Sequence, residues 1–239
     1  MPHVFLLPEL GSVEPGGVHP LPPEEAVHAA RVLRLRAGAA VRLIDGRGLR
    51  ADAEVVAAER GAVRVRVGER ERPDPPRPRV RLLAAPPKGE RAEAMVDQLA
   101  QLGVASWTPL LTERGGGDGS PNRRRRWGRA AAEAAKQCGR ADFLSVEPAA
   151  SAAETVQRIP PDAGRLLVVA DPAGRRPLLP AGVEEVVALV GPEGGFTDAE
   201  REELLAAGAV PWGLGPHVLR IETAAVAVAA VVRALIPEA

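Results

Sequence analysis

Two stretches near the C-terminus bring together residue types able to hold a small ligand by its polar edges. The first runs Leu189-Val190-Gly191-Pro192-Glu193-Gly194-Gly195-Phe196-Thr197. The second runs Leu214-Gly215-Pro216-His217-Val218-Leu219-Arg220-Ile221-Glu222-Thr223-Ala224. Each has an apolar lead-in, a turn of small residues and then a helix start. Gly194 and Gly195 lack a Cβ, so backbone there can approach a ligand closely and adopt positive φ. Thr197 with Glu200 reads as a capping box opening a helix to about Ala207. In the second stretch Glu222 or Thr223 is the candidate cap of a helix running to about Leu235. One glycine turn usually just joins a strand to a helix. Two of them, each beside a helix N-terminus, describe a ligand held by backbone groups at loop ends.

The chain that must position these turns has 239 residues, enough for one large core or for a small and a medium one. No run approaches the roughly 18 apolar residues of a membrane span. The longest, Ala224 to Val232, is half that and is mostly Ala and Val. The N-terminus, MPHVFLLPEL, shows no basic n-region, so no signal peptide is read and a cytoplasmic protein is expected. Cys138 is the single cysteine, which excludes an intrachain disulfide and a cysteine metal site. No His/Cys cluster has ligand spacing, so no metal is expected. Neither the GxGxxG dinucleotide fingerprint nor a GxxxxGK phosphate loop is present.

A formal net charge of zero hides a segregation. Residues 1–140 carry 24 Lys/Arg against 17 Asp/Glu, and residues 141–239 carry 7 against 14. Dense basic patches lie at Arg31, Arg34, Arg36, Arg42, Arg47 and Arg50, and again from Arg123 through Arg126 to Arg129, Lys136 and Arg140. Local fields of this sign attract phosphates, although a solvated Arg surface would look the same.

The rhythm of the chain divides it in two. Residues 1–72 read as a small β-rich unit. Pro22 to Leu35 is one helix with Gly38 just past its end, Val41 to Ile44 is a strand, and Asp45-Gly46 is a turn. Leu49 to Val55 alternates in part and Val63 to Val67 strictly, as half-buried strands do. Four prolines in residues 72–79 make a stiff linker. Beyond it strands and helices alternate. The strands are Val80–Ala85, Val104–Leu111, Leu144–Val146, Leu166–Ala170 and Val186–Val190. The helices are Glu90–Leu102, Ser120–Cys138 and Ala152–Arg158, and Thr112 to Gly119 is a glycine-rich loop. Such alternation predicts an α/β domain with a largely parallel sheet over residues 73–239.

GPEGGFT followed by LGPHVLRIETA resembles the bacterial 16S ribosomal RNA uridine N3-methyltransferase family (RsmE), of the SPOUT class. The likeness extends along nearly the whole chain. It includes Lys88-Gly89-Glu90-Arg91, Leu102-Gly103-Val104, Thr112-Glu113-Arg114, Arg126-Trp127 and the run Glu133 to Arg140. Gln98, Gln101 and Gly115 depart from the family's usual Lys, Glu and Ser. The resemblance implies a PUA-like RNA-binding barrel over 1–72 and a SPOUT methyltransferase domain over 73–239. In the family the latter domain ends in a trefoil knot that holds S-adenosylmethionine (SAM). Nothing in the sequence itself indicates threading, which chains generally avoid. The implied cofactor loops are Ala170-Asp171-Pro172, Gly191-Pro192 with Gly194 and Gly195, and Leu214-Gly215-Pro216 with Val218 and Leu219. Arg31, Arg34, Lys88, Arg114, Arg123, Arg124, Arg126 and Arg140 are the implied RNA contacts. The implied partners are 16S rRNA in the small ribosomal subunit and a second copy of the chain, packed as a homodimer through the knot region.

Methylation at uracil N3 gains from removing the ring proton and from stabilising the anion that results. Glu193, Arg220 and Glu222 lie in the two motif loops and are the catalytic candidates. Arg220 could steady the anion or hold a phosphate. Glu222 has a second use as a helix cap, and Glu193 as a hydrogen-bond partner of its own turn. Two other readings stay open: a SPOUT methylase of another RNA atom, such as a ribose 2′-OH, and a non-catalytic RNA-binding assembly factor of the ribosome.

Overall fold

The computed structural model describes residues 2–59, 61–115, 119–157 and 164–236. The chain falls into two compact units. One holds residues 1–75 with 132–143, the other residues 76–131 with 144–239.

The first unit is built from strand alternation. Its elements are β1 (His3–Leu6), β2 (Val18–Pro20), α1 (Pro23–Val27), β3 (Ala40–Ile44), β4 (Arg50–Glu59) and β5 (Ala62–Glu71). They form one sheet ordered β1-β3-β4-β5-β2, antiparallel except for the β1–β3 pair. Val63, Val65 and Val67 point inward from β5 while Arg64 and Arg66 stay exposed, the period of two that a half-buried strand demands. Phe5, Leu7, Leu10, Leu43 and Val55 complete that core. At the Asp45-Gly46 turn Gly46 has φ +75°, and Asp45 Oδ1 accepts from the amides of Arg47 (2.7 Å) and Leu49 (2.9 Å). This is an Asx-type lock on a tight turn.

The single helix expected over Pro22–Leu35 is shorter and changes pitch. α1 begins after Pro22, with Pro23 at its first position. From His28 to Val32 the turn widens to i→i+5 bonding, with Leu33 N–H donating to His28 O at 3.1 Å. Arg34 then takes φ +53° and ends it. The left-handed step turns Leu35 back, where its amide reaches Ala29 O (3.0 Å) and its side chain packs on the core.

The second unit follows the predicted alternation. Its elements are β6 (Arg79–Ala84), α2 (Arg91–Gln101), β7 (Ser106–Leu111), α3 (Pro121–Cys138), β8 (Ser145–Val146), β9 (Ala150–Ser151), α4 (Ala152–Gln157), β10 (Arg165–Arg175), β11 (Glu185–Val190), α5 (Asp198–Ala206), β12 (Val210–Trp212) and α6 (Ile221–Ala234). The end of α3 groups with the first unit. The sheet runs β12-β10-β11-β6-β7-β8 with β9 beside β7, and each of these pairings is parallel. Val186 to Val190 are all buried, as a continuous apolar run in a covered strand should be. Met95, Val96 and Leu99 of α2 pack inward, and Trp107 of β7 lies 4.7 Å from Trp127 of α3, centroid to centroid. Gly116 to Asp118 of the expected glycine-rich loop and Arg158 of the expected fourth helix lie outside the described residues.

Two expectations change. β10 does not stop at Ala170 but continues to Arg175 through a bulge, since Ala170 and Arg175 both pair with Trp212. Neither Glu222 nor Thr223 caps α6. The cap position is Arg220, which makes no side-chain cap bond, and both residues lie inside the first turn. The far end of α6 is held instead by Arg233, which donates to the carbonyls of Leu102 (2.9 Å), Pro78 (2.8 Å) and Gly103 (2.8 Å). A cation there also meets the negative end of α2.

Within the first unit Lys136 Nζ donates to Glu25 Oε1 (2.8 Å) and lies 2.9 Å from Glu133 Oε1. Burial pulls the ammonium pKa down, but the hydrogen bonds and charges of Glu25 and Glu133 together outweigh it, and the net shift is upward. A raised lysine pKa stabilises the fold below its unfolded value, about 10.4, and that contribution is lost as pH rises through the folded value. Lys136→Met should lower stability near neutral pH by about 1–3 kcal/mol, because it leaves a buried carboxylate unpaired. The gap from wild type should close above about pH 10.5, read by urea unfolding across pH.

Candidate functional site

A cavity of about 410 Å³ opens at the C-terminal ends of β10, β11 and β12. The strand order accounts for its place. β10 and β11 run side by side, and the connection from β11 to β12 carries the chain across β10 to its far edge. Parallel strands deliver their loops to one edge, and a ligand crevice forms where the strand order reverses.

Three loops make the walls. From β10 come Val169, Ala170, Asp171 and Pro172. From β11 come Val190 and the turn Gly191 to Phe196. From the chain after β12 come Trp212, Leu214, Gly215, His217, Val218 and Leu219, with Ile221 and Ala224 of α6 beneath. Of the expected cofactor residues, all but Pro216 line this space. The floor of Val169, Val190, Trp212, Ile221 and Ala224 is buried and apolar, while Glu193, Gly194, Gly215 and His217 stand at the exposed rim. Val218 is 80% exposed, so it forms a wall at the mouth.

Local chemistry shapes each loop. Asp171 spends both oxygens: Oδ1 accepts from Ala173 N–H (2.8 Å) and Oδ2 from Arg201 Nε (2.9 Å). Gly195 takes φ +68° and its amide donates to Pro192 O (2.8 Å), closing the turn. The capping box is formed as its spacing predicts, with Glu200 N–H on Thr197 Oγ1 (3.2 Å) and Thr197 N–H on Glu200 Oε2 (2.8 Å). The β10 bulge and the chain after β12 touch backbone to backbone. Gly213 N–H donates to Arg175 O (2.8 Å), and a Cβ on Gly174 would stand 2.6 Å from Gly213 N.

The three catalytic candidates are dispersed. Glu193 is on the cavity wall, exposed, and makes no side-chain hydrogen bond or ion pair among the described residues. Arg220 is exposed just outside it. Glu222 is turned away: its Oε1 pairs with Arg91 Nη1 at 3.2 Å, and its Oε2 is buried without a hydrogen-bond partner among the described residues.

The basic residues expected to touch RNA divide by what they contact. Arg31 and Arg34 are exposed on the first unit. Lys88, Arg123 and Arg126 border a second, shallower pocket of about 480 Å³. Arg126 there bonds Glu93 (2.8 Å), and Arg123 lies 5.0 Å over the Trp127 ring. Arg124 lies nearby in α3 with its Nε buried. Arg140 has a side chain only 9% exposed, paired with Asp142 at 2.8 Å. Arg114 lines the main cavity and donates to Gly194 O (3.1 Å) and Phe196 O (3.3 Å).

Sequence reasoning missed Phe196, Arg201, Trp212, His217 and the glycine pair Gly174 and Gly213. Phe196 and His217 sat inside the quoted motifs and so were legible. Trp212, Gly174 and Gly213 are brought in by the pairing of β10 with β12, and Arg201 by its ion pair with Asp171.

Residues 74–233 match the family described as RNA methyltransferase domain, and residues 21–68 match the RNA methyltransferase PUA domain. The ribosomal RNA small subunit methyltransferase E of Mycobacterium bovis is 34% identical, over 93% of this chain and 87% of its own length. A ribosomal RNA small subunit methyltransferase E from Neisseria gonorrhoeae, bound to S-adenosyl methionine, superposes with a TM-score of 0.87 at 26% identity over 98% of each chain. A Legionella pneumophila protein solved with bound SAM gives 0.83 at 30% identity, again over 98% of each chain.

Gly174→Ala should separate the bulge from the end of β12. Overpacking of backbone against backbone costs about 2 kcal/mol, or about 4–8 °C in Tm for a chain of this size. Differential scanning calorimetry of the unliganded protein checks this.

Proposed function

The chain belongs to the ribosomal RNA small subunit methyltransferase E family, and on that footing we infer that it transfers the methyl group of SAM to N3 of a uridine in 16S ribosomal RNA. The observation that carries the reading is the cavity at the ends of β10, β11 and β12. Its volume suits a small cofactor. Its apolar floor suits an adenine ring, and the turns around it offer backbone polar groups.

SAM, when bound, supplies a methyl already activated on a sulfonium. The residues of this chain have to align the acceptor, exclude water and manage one proton. Leu214, Val218 and Leu219 would hold the adenine ring. Loop backbone from Ala170 to Pro172, from Gly191 to Gly195 and from Leu214 to Pro216 would meet its polar edges. Glu193 is the group best placed to accept the N3 proton, because it lines the cavity and its carboxylate has no partner among the described residues. Arg220, exposed beside the cavity, steadies the uracil anion or a flanking phosphate. Glu222, engaged by Arg91, acts through the packing of α6 rather than as the base.

Residues 1–72 serve as the RNA-binding domain through Arg31 and Arg34, and residues 73–239 as the catalytic domain. Lys88, Arg123, Arg124 and Arg126 extend the RNA surface. Arg140, its side chain 9% exposed and held by Asp142, serves the packing of the first unit rather than touching RNA. The crossing of β10 by the β11–β12 connection supports a trefoil knot in the C-terminal segment. The half-buried Val226, Ala227, Ala230 and Val231 of α6 and the exposed Val218 support a homodimer packed there. A cytoplasmic location follows from the ribosomal substrate.

Incubation with methyl-labelled SAM and small subunits lacking the modification tests the reading. Label on one uracil N3, located by nuclease mapping and mass spectrometry, is expected. Label on a ribose 2′-oxygen would overturn the assigned atom. Protein that binds RNA but not SAM would leave the assembly-factor reading. Glu193→Gln should lower kcat by about a hundredfold with an unchanged Kd for SAM, by single-turnover kinetics and calorimetry.

A further inference from the structure

The turn from Pro192 to Thr197 is gripped from outside by a loop some eighty residues earlier in the chain. After β7, Thr112 and Gly115 close on each other, with Thr112 N–H on Gly115 O at 2.9 Å. This small hairpin makes three contacts with the turn. Arg114 Nη1 bridges the carbonyls of Gly194 (3.1 Å) and Phe196 (3.3 Å). Glu113 N–H donates to Glu200 Oε1 (3.0 Å), while the other oxygen of the same carboxylate accepts from Thr197 N–H. Gly115 lies so near Pro192 that a Cβ at 115 would stand 3.1 Å from the Pro192 Cβ.

A peptide group is planar, so holding its carbonyl and its amide fixes its orientation. The 194–195 peptide is held by Arg114 at its oxygen and by Pro192 O at its N–H. The 196–197 peptide is held by Arg114 at its oxygen and by Glu200 at its N–H. The amides of Gly194 and Phe196 belong to the alternate peptides, and they have no acceptor among the described residues. Both residues line the cavity.

We propose that Arg114 is a positioning residue of the cofactor turn, orienting its peptide planes so that the amides of Gly194 and Phe196 are left for the ligand. This rests on the reading of the cavity as the SAM site. It assigns Arg114 to cofactor affinity rather than to RNA. Because Arg114 is exposed and buries little surface, its loss leaves the unliganded fold intact while softening the turn.

Calorimetric SAM titration of wild type, Arg114→Ala and Arg114→Lys, with RNA affinity by filter binding and unliganded Tm alongside, tests the proposal. Loss of a charge-assisted bridge should weaken SAM binding by about tenfold in Arg114→Ala. Lysine should recover part of it, and RNA affinity and unliganded Tm should hold. Wild-type protein that fails to bind SAM would sink the cofactor reading, and this proposal with it. Normal wild-type binding with an unchanged Kd in Arg114→Ala would overturn this proposal alone. So would a fall in unliganded Tm in both variants that accounts for the lost affinity, since that is a general folding role.

Discussion

The closeness with which the β10 bulge approaches the chain after β12 sets the rest of the site. Gly174 and Gly213 meet there without side chains, and a Cβ on either would stand within about 2.6 Å of backbone atoms of the other segment. Beside that contact Ala170 pairs with Trp212, and Ala170 to Pro172 and Trp212 all line the cavity.

The arginines of this chain divide into those spent on backbone carbonyls, those paired with carboxylates, such as Arg91, Arg126 and Arg140, and those left to solvent. Arg233 ties α6 to the C-terminal end of α2 and to the start of β6 through three carbonyls, and Arg114 ties two loops together. Guanidinium suits this work because it keeps its charge and offers several donors in a fixed plane. Arg31 and Arg34 remain exposed, and they carry the field that a polyanion would meet. An Arg-rich composition therefore overstates the nucleic-acid surface unless each guanidinium is traced to its partner.

Glu200 shows how one carboxylate can serve two levels of structure. One oxygen completes the capping box of α5, a local interaction four residues long. The other accepts from Glu113, 87 residues away. The first use was legible from Thr197 and Glu200 alone, because capping depends on spacing along the chain. The second was not, because it depends on where the β7 loop arrives. Glu222 teaches the converse. Its place near the start of α6 read as a cap, yet the cap position lies two residues earlier, at Arg220, and Arg91 claims the carboxylate.

The sequence by itself determined the alternation of strands and helices, the capping box that opens α5, and the two glycine turns that wall the cavity. All of these are set by periodicity, by proline and glycine stereochemistry and by contacts within a few residues. The family likeness was legible for the same reason, since motif loops are continuous. Only the tertiary structure decided which charged groups face the cavity. Glu193 has no side-chain partner among the described residues, Glu222 is paired away and Arg114 bonds the carbonyl of Gly194. It also decided the extension of β10 past Ala170 and the pairing of Gly174 with Gly213. These depend on strand order and on partners distant in the chain, and no spacing along one segment encodes which distant backbone it will meet.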